Sequence, residues 1–326
     1  MNVCMFGYGM MGGWHSDALQ NYDCCLHTLV GRRQEMVSEF AERYAYRKWT
    51  TNYAEALADD EVDLVILANP SEMHAATAIA AIEAGKPVLV EIPIALTLAD
   101  SQQVVDKAEE RGVPLGVVHP MRMREELFGL RDRGNSGEEQ LRHFEGRFYI
   151  RRLANVGGSG YRRSWTDNLL WHHITHVLDF GIWMLDTPIR EVHSFMGPID
   201  AETGTPMEVI IALETERDQP LVLSGSYYSR EFTMDACIIT DRSTYRLEIH
   251  EGRLTTDGQT VETLPEPQYC WKVARDFVDA VRDGRPPAVP GQSVIPTMKV
   301  LHAVQQRWDN RHGVRSIPGR PLDDTG

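Results

Sequence analysis

The apolar run NVCMF, residues 2–6, leads directly into GYGMMG. Gly7, Gly9 and Gly12 have the spacing G-x-G-x-x-G. Each glycine answers a separate need. Gly7 permits a tight turn, Gly9 lets the backbone approach a pyrophosphate, and Gly12 lets the next helix pack close to its strand. The N-terminus of that helix then faces the phosphate charge. Alone the motif is weak, and a glycine-rich turn in another α/β domain is the plain alternative. Here the motif sits after a strand-like run, before a helical one, and at the head of a strand–helix alternation.

The alternation continues through the first third of the chain. Strands are expected at Asn2–Phe6, Cys25–Val30, Leu64–Ala68, Val88–Val90 and Leu115–Val118, with helices at Met11–Gln20, Gln34–Tyr44, Glu72–Ala84 and Leu98–Arg111. Gly85 and Gly112 stand where helix C-caps belong, and Pro87 and Pro114 follow them. The expected fold class is α/β: a doubly wound parallel sheet of Rossmann type over residues 1–120. Beyond that point long alternating runs appear, at Leu141–Arg151, Met207–Glu214, Leu221–Tyr228, Ala236–Thr240 and Thr244–His250. They predict an α+β domain over 121–326 with an antiparallel or mixed sheet that has one exposed face. Helices are expected near Asn168–Leu185, Trp271–Asp283 and Ser293–Trp308, and a loose tail from His312.

A length of 326 residues suits two domains better than one core. The net charge, 33 − 47 = −14, disfavours nucleic acid and anionic membranes as partners. No run is long enough to span a bilayer, and no charged-then-apolar leader opens the chain. Five cysteines with no CxxC make a disulfide framework unexpected, so a cytoplasmic location is expected.

The end of the second expected strand discriminates between dinucleotides. An NAD site usually places Asp or Glu there for the ribose hydroxyls. This chain reads LVGRRQE, with Gly31, Arg32 and Arg33. Two guanidiniums favour a 2′-phosphate, so NADP is the expected cofactor, with NAD as the alternative. The cofactor set is Gly7, Tyr8, Gly9, Met10, Met11, Gly12, Arg32 and Arg33. Asn69, Pro70, His74 and Glu91 join it, at or just after strand ends that line the crevice of such a sheet.

The stretch RSWTDNLLWHHITHVLD, 163–179, carries three histidines in an otherwise apolar helix. His172 and His176 are four apart and share a helix face, whereas His173 points roughly 100° away. Asp167 reads as a helix cap. Buried structural histidines are one explanation. A zinc pair is another, but the zincin pattern needs Glu where His173 stands, and no third ligand is evident. General acid–base catalysis is the third: imidazole titrates near neutrality and suits removing a hydroxyl proton as hydride leaves. Five arginines, Arg147, Arg151, Arg152, Arg162 and Arg163, lead into that stretch without an intervening carboxylate. In so acidic a chain they point to a small anionic carboxylate ligand, or else to a subunit interface or surface ion pairs.

Together GYGMMG, NPSEMH, the EIP at 91–93 and the histidine helix resemble the Gfo/Idh/MocA family of oxidoreductases, over essentially the whole chain. The resemblance implies a Rossmann domain followed by an open-faced sheet that often serves in oligomerisation, hence a homodimer or higher homo-oligomer. It implies catalysis by His176, with His172 orienting the reacting oxygen, and no metal. Two departures separate the chain from sugar-oxidising members: Ile92 replaces the Lys of E-K-P, and His172 replaces the Asp of D-x-x-x-H. VEIPIA at 90–95, Arg151–Arg152 and the 163–179 stretch look instead like one branch that oxidises a carboxylated hemiacetal. HPMRMREE at 119–126 fits less closely, because Met121 stands where that branch carries another arginine. The implied substrate contacts are Arg122, Arg124, Arg151, Arg152, Arg163 and Trp165. A sugar or inositol dehydrogenase and a non-catalytic dinucleotide sensor are the rivals.

Overall fold

The computed structural model describes residues 1–154, 156 and 168–316. Contacts divide the chain into two compact units, one built mainly from Met1–Met123 with Pro267–Ile295, the other from most of the remainder.

The first unit holds a six-stranded sheet of β1 (Asn2–Phe6), β2 (Cys25–Val30), β3 (Lys48–Thr50), β4 (Leu64–Leu67), β5 (Val88–Val90) and β6 (Leu115–Val117), in the order β3-β2-β1-β4-β5-β6. Every pairing is parallel. The connecting helices are α1 (Met10–Leu19), α2 (Gln34–Arg43), α3 (Tyr53–Leu57), α4 (His74–Glu83) and α5 (Leu98–Arg111). This is the doubly wound arrangement the sequence predicts. Its order reverses between β1 and β4, so the ends of those strands open the ligand crevice. The central strands are apolar runs because both faces are covered; β4 is buried at all four positions. Local chemistry sets the helix ends: the Thr97 side chain accepts from Asp100 N and caps α5, while Gly112 closes it at φ 64°. The sequence reading omits β3 and α3. β3 is a three-residue edge strand with mostly exposed side chains, and such a strand carries little pattern.

The second unit holds an eight-stranded mixed sheet: β7 (Leu141–Tyr149), β8 (Ile189–Met196), β9 (Glu208–Thr215), β10 (Pro220–Ser226), β11 (Thr233–Thr240), β12 (Thr244–Glu248), β13 (Arg253–Thr256) and β14 (Gln259–Glu262). The order is β14-β13-β12-β11-β7-β10-β9-β8, with β7 and β10 parallel. α6 (Phe128–Ser136) precedes β7, and α7 (Thr175–Leu185) follows it. Along β9, Val209, Ile211 and Leu213 are buried while Ile210 is exposed, which is the alternation of a one-sided sheet. β8, β13 and β14 lie outside the sequence reading. They are the outer strands, where burial is weakest: all four residues of β14 are exposed.

The domain boundary needs one correction. The sequence reading runs the second domain unbroken from 121 to 326. In the structure α8 (Glu266–Asp283) places Val273, Ala274, Phe277 and Val278 in one cluster with Val3, Met5, Leu64, Ile66 and Leu89. The apolar stripe of α8 has the helical period, but periodicity does not name the sheet it covers. The closing helix α9 (Ile295–His312) lies mainly in the second unit. Among the described residues no helix is long and apolar enough to cross a membrane.

Candidate functional site

The glycine turn is built as its spacing requires. Gly7 sits at φ 116°, and a Cβ there would lie 2.3 Å from the Ala68 carbonyl oxygen. A Cβ on Gly12 would lie 2.4 Å from the Gly7 oxygen. Gly9 differs: nothing lies within 4 Å of its Cβ position. The first and third glycines are demanded by the protein's own backbone, while the second borders open space at the N-terminus of α1. That cradle fits a dinucleotide pyrophosphate. Tyr8 is half-buried, Met10 is 63% exposed as the first residue of α1, and Met11 follows it. Arg32 and Arg33 are exposed just past β2, and Arg33 is the N-cap position of α2.

Asn69 and Pro70 follow β4, and the Asn69 amide donates to the Thr77 hydroxyl at 3.1 Å. His74 and Glu91 turn inward. The buried His74 ring places Nδ1 2.7 Å from the Pro93 oxygen and Nε2 2.9 Å from the Asn69 oxygen, tying the ends of β4 and β5 together. Glu91 meets His15 Nε2 at 2.7 Å and accepts from Ile92 N at 3.2 Å. Both side chains therefore serve the backbone that frames the crevice. His15 escapes a sequence reading because nothing local links α1 to residue 91.

The histidine segment holds the clearest difference. Residues Leu169–Ile174 form a π-helical turn, and α7 starts only at Thr175. A wider turn changes which side chains share a face, and such turns are frequent at functional sites. His173 is therefore brought into the group. Its ring centroid lies 4.7 Å from Phe148 and 4.5 Å from His172, and its Nδ1 is 2.6 Å from the Tyr227 hydroxyl. His176 stacks on the same Phe148, with centroids 6.2 Å apart. All three histidines are part-buried. The sheet fixes this arrangement: Ile174 beds against Gly225, where a Cβ would lie 2.6 Å from its side chain. The cap of the turn is Asn168, whose side chain accepts from Leu170 N; Asp167 lies outside the described residues. Asp179 is fully buried and accepts from Thr297. Sequence reasoning missed Phe148 and Tyr227, each of which comes from a different strand or strand end.

The arginines separate into three groups. Arg124 is fully buried and bound to Glu126, Thr263 and the Ile249 oxygen. Arg122 is 6% exposed and donates to the Ser293 hydroxyl and carbonyl. Both guanidiniums, expected as substrate contacts, are thus engaged by groups of the protein itself. Arg147 forms a fork with Asp235 across β7 and β11. Alternation along β7 puts it on the opposite sheet face from Phe148, so it leaves the proposed carboxylate cluster. Arg151 is exposed, and Arg152 lies over the Tyr227 ring at 5.6 Å, with Nη2 2.7 Å from the Val156 oxygen. Arg162, Arg163 and Trp165 lie outside the described residues.

Other chemistries find less support. The five cysteines are free thiols, and burial pushes Cys24 up to about 11, which keeps it protonated at neutral pH. His27, Asp59 and Glu61 form a group of metal-ligand type in the first unit, but the Lys48 ammonium already bridges the two carboxylates.

Comparison with known proteins agrees with this architecture. Residues 1–119 match the model described as oxidoreductase family, NAD-binding Rossmann fold, and residues 129–262 match bacterial oxidoreductases, C-terminal. The chain is 31% identical over 317 residues to 4-carboxy-2-hydroxymuconate-6-semialdehyde dehydrogenase of a Sphingobium species, covering 95% of this chain and 100% of that protein. Inositol 2-dehydrogenase of Salmonella typhimurium is 26% identical over 196 residues, 57% of this chain and 55% of that protein. In fold, the chain is similar to a levoglucosan dehydrogenase solved with NADH and levoglucosan, at a TM-score of 0.83 and 16% identity, covering 94% of this chain and 96% of that one. With the nucleotide-type sheet, the glycine cradle and this end-to-end similarity in place, the chain belongs to the Gfo/Idh/MocA family of oxidoreductases.

Proposed function

We propose that this protein is an NADP-dependent dehydrogenase that oxidises the cyclic hemiacetal of 4-carboxy-2-hydroxymuconate-6-semialdehyde to 2-pyrone-4,6-dicarboxylate. The observation that carries the reading is the match to the Sphingobium dehydrogenase across that protein's full length. Shorter matches to the inositol dehydrogenase keep a polyol substrate as the second reading.

The bound dinucleotide supplies the hydride acceptor. This chain's residues do the rest. His176 takes the hemiacetal O–H proton while the C–H bond on the same carbon breaks, hydride departs and the lactone C=O forms. His172 hydrogen-bonds the reacting oxygen. In this reading Arg151, Arg152 and Arg163 hold the carboxylates and fix a near-attack geometry, and Trp165 is a further substrate contact. Arg32 and Arg33 take the 2′-phosphate, and Asn69 and Pro70 line the crevice. The same reading has the open sheet face, where Phe195 and Ile210 lie paired and exposed, joining a second copy in a cytoplasmic homo-oligomer.

The test follows NADPH absorbance with the semialdehyde generated in situ from protocatechuate by a 4,5-dioxygenase, beside a panel of neutral polyols. Turnover on the carboxylated substrate alone supports the reading. Turnover only on polyols replaces it with the second, and tight cofactor binding without turnover on any substrate points to a sensor.

A further expected result concerns Tyr227. Its hydroxyl fixes the His173 ring, and through it the neighbouring His172. Tyr227→Phe should lower kcat by about 10-fold, less than removal of a general base. The buried ring keeps its packing, so the melting temperature should change little. Steady-state kinetics with thermal melts check both parts.

A further inference from the structure

Gly31 ends β2, where the sequence lacks the usual acidic residue. Its φ lies outside the left-handed region, so its backbone would accept any L-residue. Only space forbids one. A Cβ on Gly31 would lie 2.1 Å from Tyr8 Cε1, 2.4 Å from Tyr8 Cδ1 and 3.3 Å from Val37 Cβ. The first two atoms belong to the edge of an aromatic ring, not to the tip of a pliant chain. That ring comes from the second position of GYGMMG, so the phosphate-binding turn and the ribose-reading position are interlocked. Tyr8 also packs against the core cluster of the first unit, which limits how far it swings away.

We propose that the Tyr8 ring fills the space of a side chain at position 31, bars a carboxylate from it, and so sets the selectivity of the site for the adenosine ribose. This rests on the NADP reading above. In an NAD-type site the acidic side chain accepts from the ribose hydroxyls and repels a 2′-phosphate. Here the ring holds that volume with an uncharged surface, and the neighbouring Arg32 and Arg33 are left as the charged groups of the β2 end. Tyr8 is thus a selectivity residue acting through the position it occupies, and Gly31 is glycine because of it.

The experiment is a double-variant cycle on the full chain with Gly31→Ala, Gly31→Asp, Tyr8→Ala and the two pairs. Melting temperature is read without cofactor, and Kd for NADP+ and NAD+ by calorimetry. Gly31→Ala and Gly31→Asp alone should lower the melting temperature, and adding Tyr8→Ala should restore most of the loss, a coupling that independent sites do not show. Tyr8→Ala with Gly31→Asp should favour NAD+ over NADP+ by about 10-fold, whereas Gly31→Asp alone should bind both poorly.

Additive melting temperatures overturn the interlock. A double variant that keeps the wild-type preference overturns the selectivity role. A wild type that binds NAD+ more tightly sinks the NADP reading and the selectivity half of this proposal with it. The melting cycle, which contains no cofactor, still decides whether the ring bars the position.

Discussion

His176→Ala should lower kcat/KM by between about 10²- and 10⁴-fold, the range for loss of a positioned general base. Affinity for NADPH should stay within a few-fold of wild type. His176 sits in the first turn of α7, part-buried and stacked on Phe148. It is not a core residue, and Val177 and Leu178 beside it are fully buried and carry the packing of that turn. Alanine should therefore leave the fold intact, which circular dichroism and a melting curve establish before kinetics are read. The pH profile separates chemistry from structure. A histidine base loses its function as it protonates, so kcat/KM falls toward acid pH, and that limb should vanish in the variant. A melting temperature that drops together with cofactor affinity would instead make His176 structural.

Phe277→Ala should destabilise the first unit by about 3–5 kcal/mol, as expected for emptying a buried aromatic site. Phe277 is 1% exposed and lies in the cluster shared with β1, β4 and β5. Its ring fills the space above Gly116 on β6, where a Cβ would lie 2.8 Å from it. No small side chain closes that space, so the cavity term adds to the lost transfer energy. Urea unfolding followed by fluorescence measures the change. The same packing predicts that residues 1–120 expressed alone fold poorly, because Val273, Ala274, Phe277 and Val278 leave an apolar sheet face uncovered. A fragment of that length as stable as the intact chain would refute the assignment of α8 to the first core.

The sequence by itself determined the nucleotide-type sheet, because its information is local. Five short apolar runs, the glycine spacing and the caps at Gly85 and Gly112 are each satisfied within a few residues, and the structure places each element within a residue or two of its expected span. It also pointed to the histidine segment. Other features were decided only by tertiary structure, because they depend on contacts between residues far apart in the chain. Helical spacing paired His172 with His176 and turned His173 away. The π-helical turn, settled against Gly225, brought His173 to Phe148 and Tyr227 instead. Charge counting grouped Arg147 with Arg152, yet the two-residue period of β7 sends Arg147 to the open face and to Asp235. Arg122 and Arg124, expected as substrate contacts, meet Ser293, Thr263 and the Ile249 oxygen, none of them near in sequence. A one-dimensional pattern records which face a side chain takes, but not which distant residue meets it there. Here those distant residues engage Arg122, Arg124 and Arg147 with groups that no local pattern names.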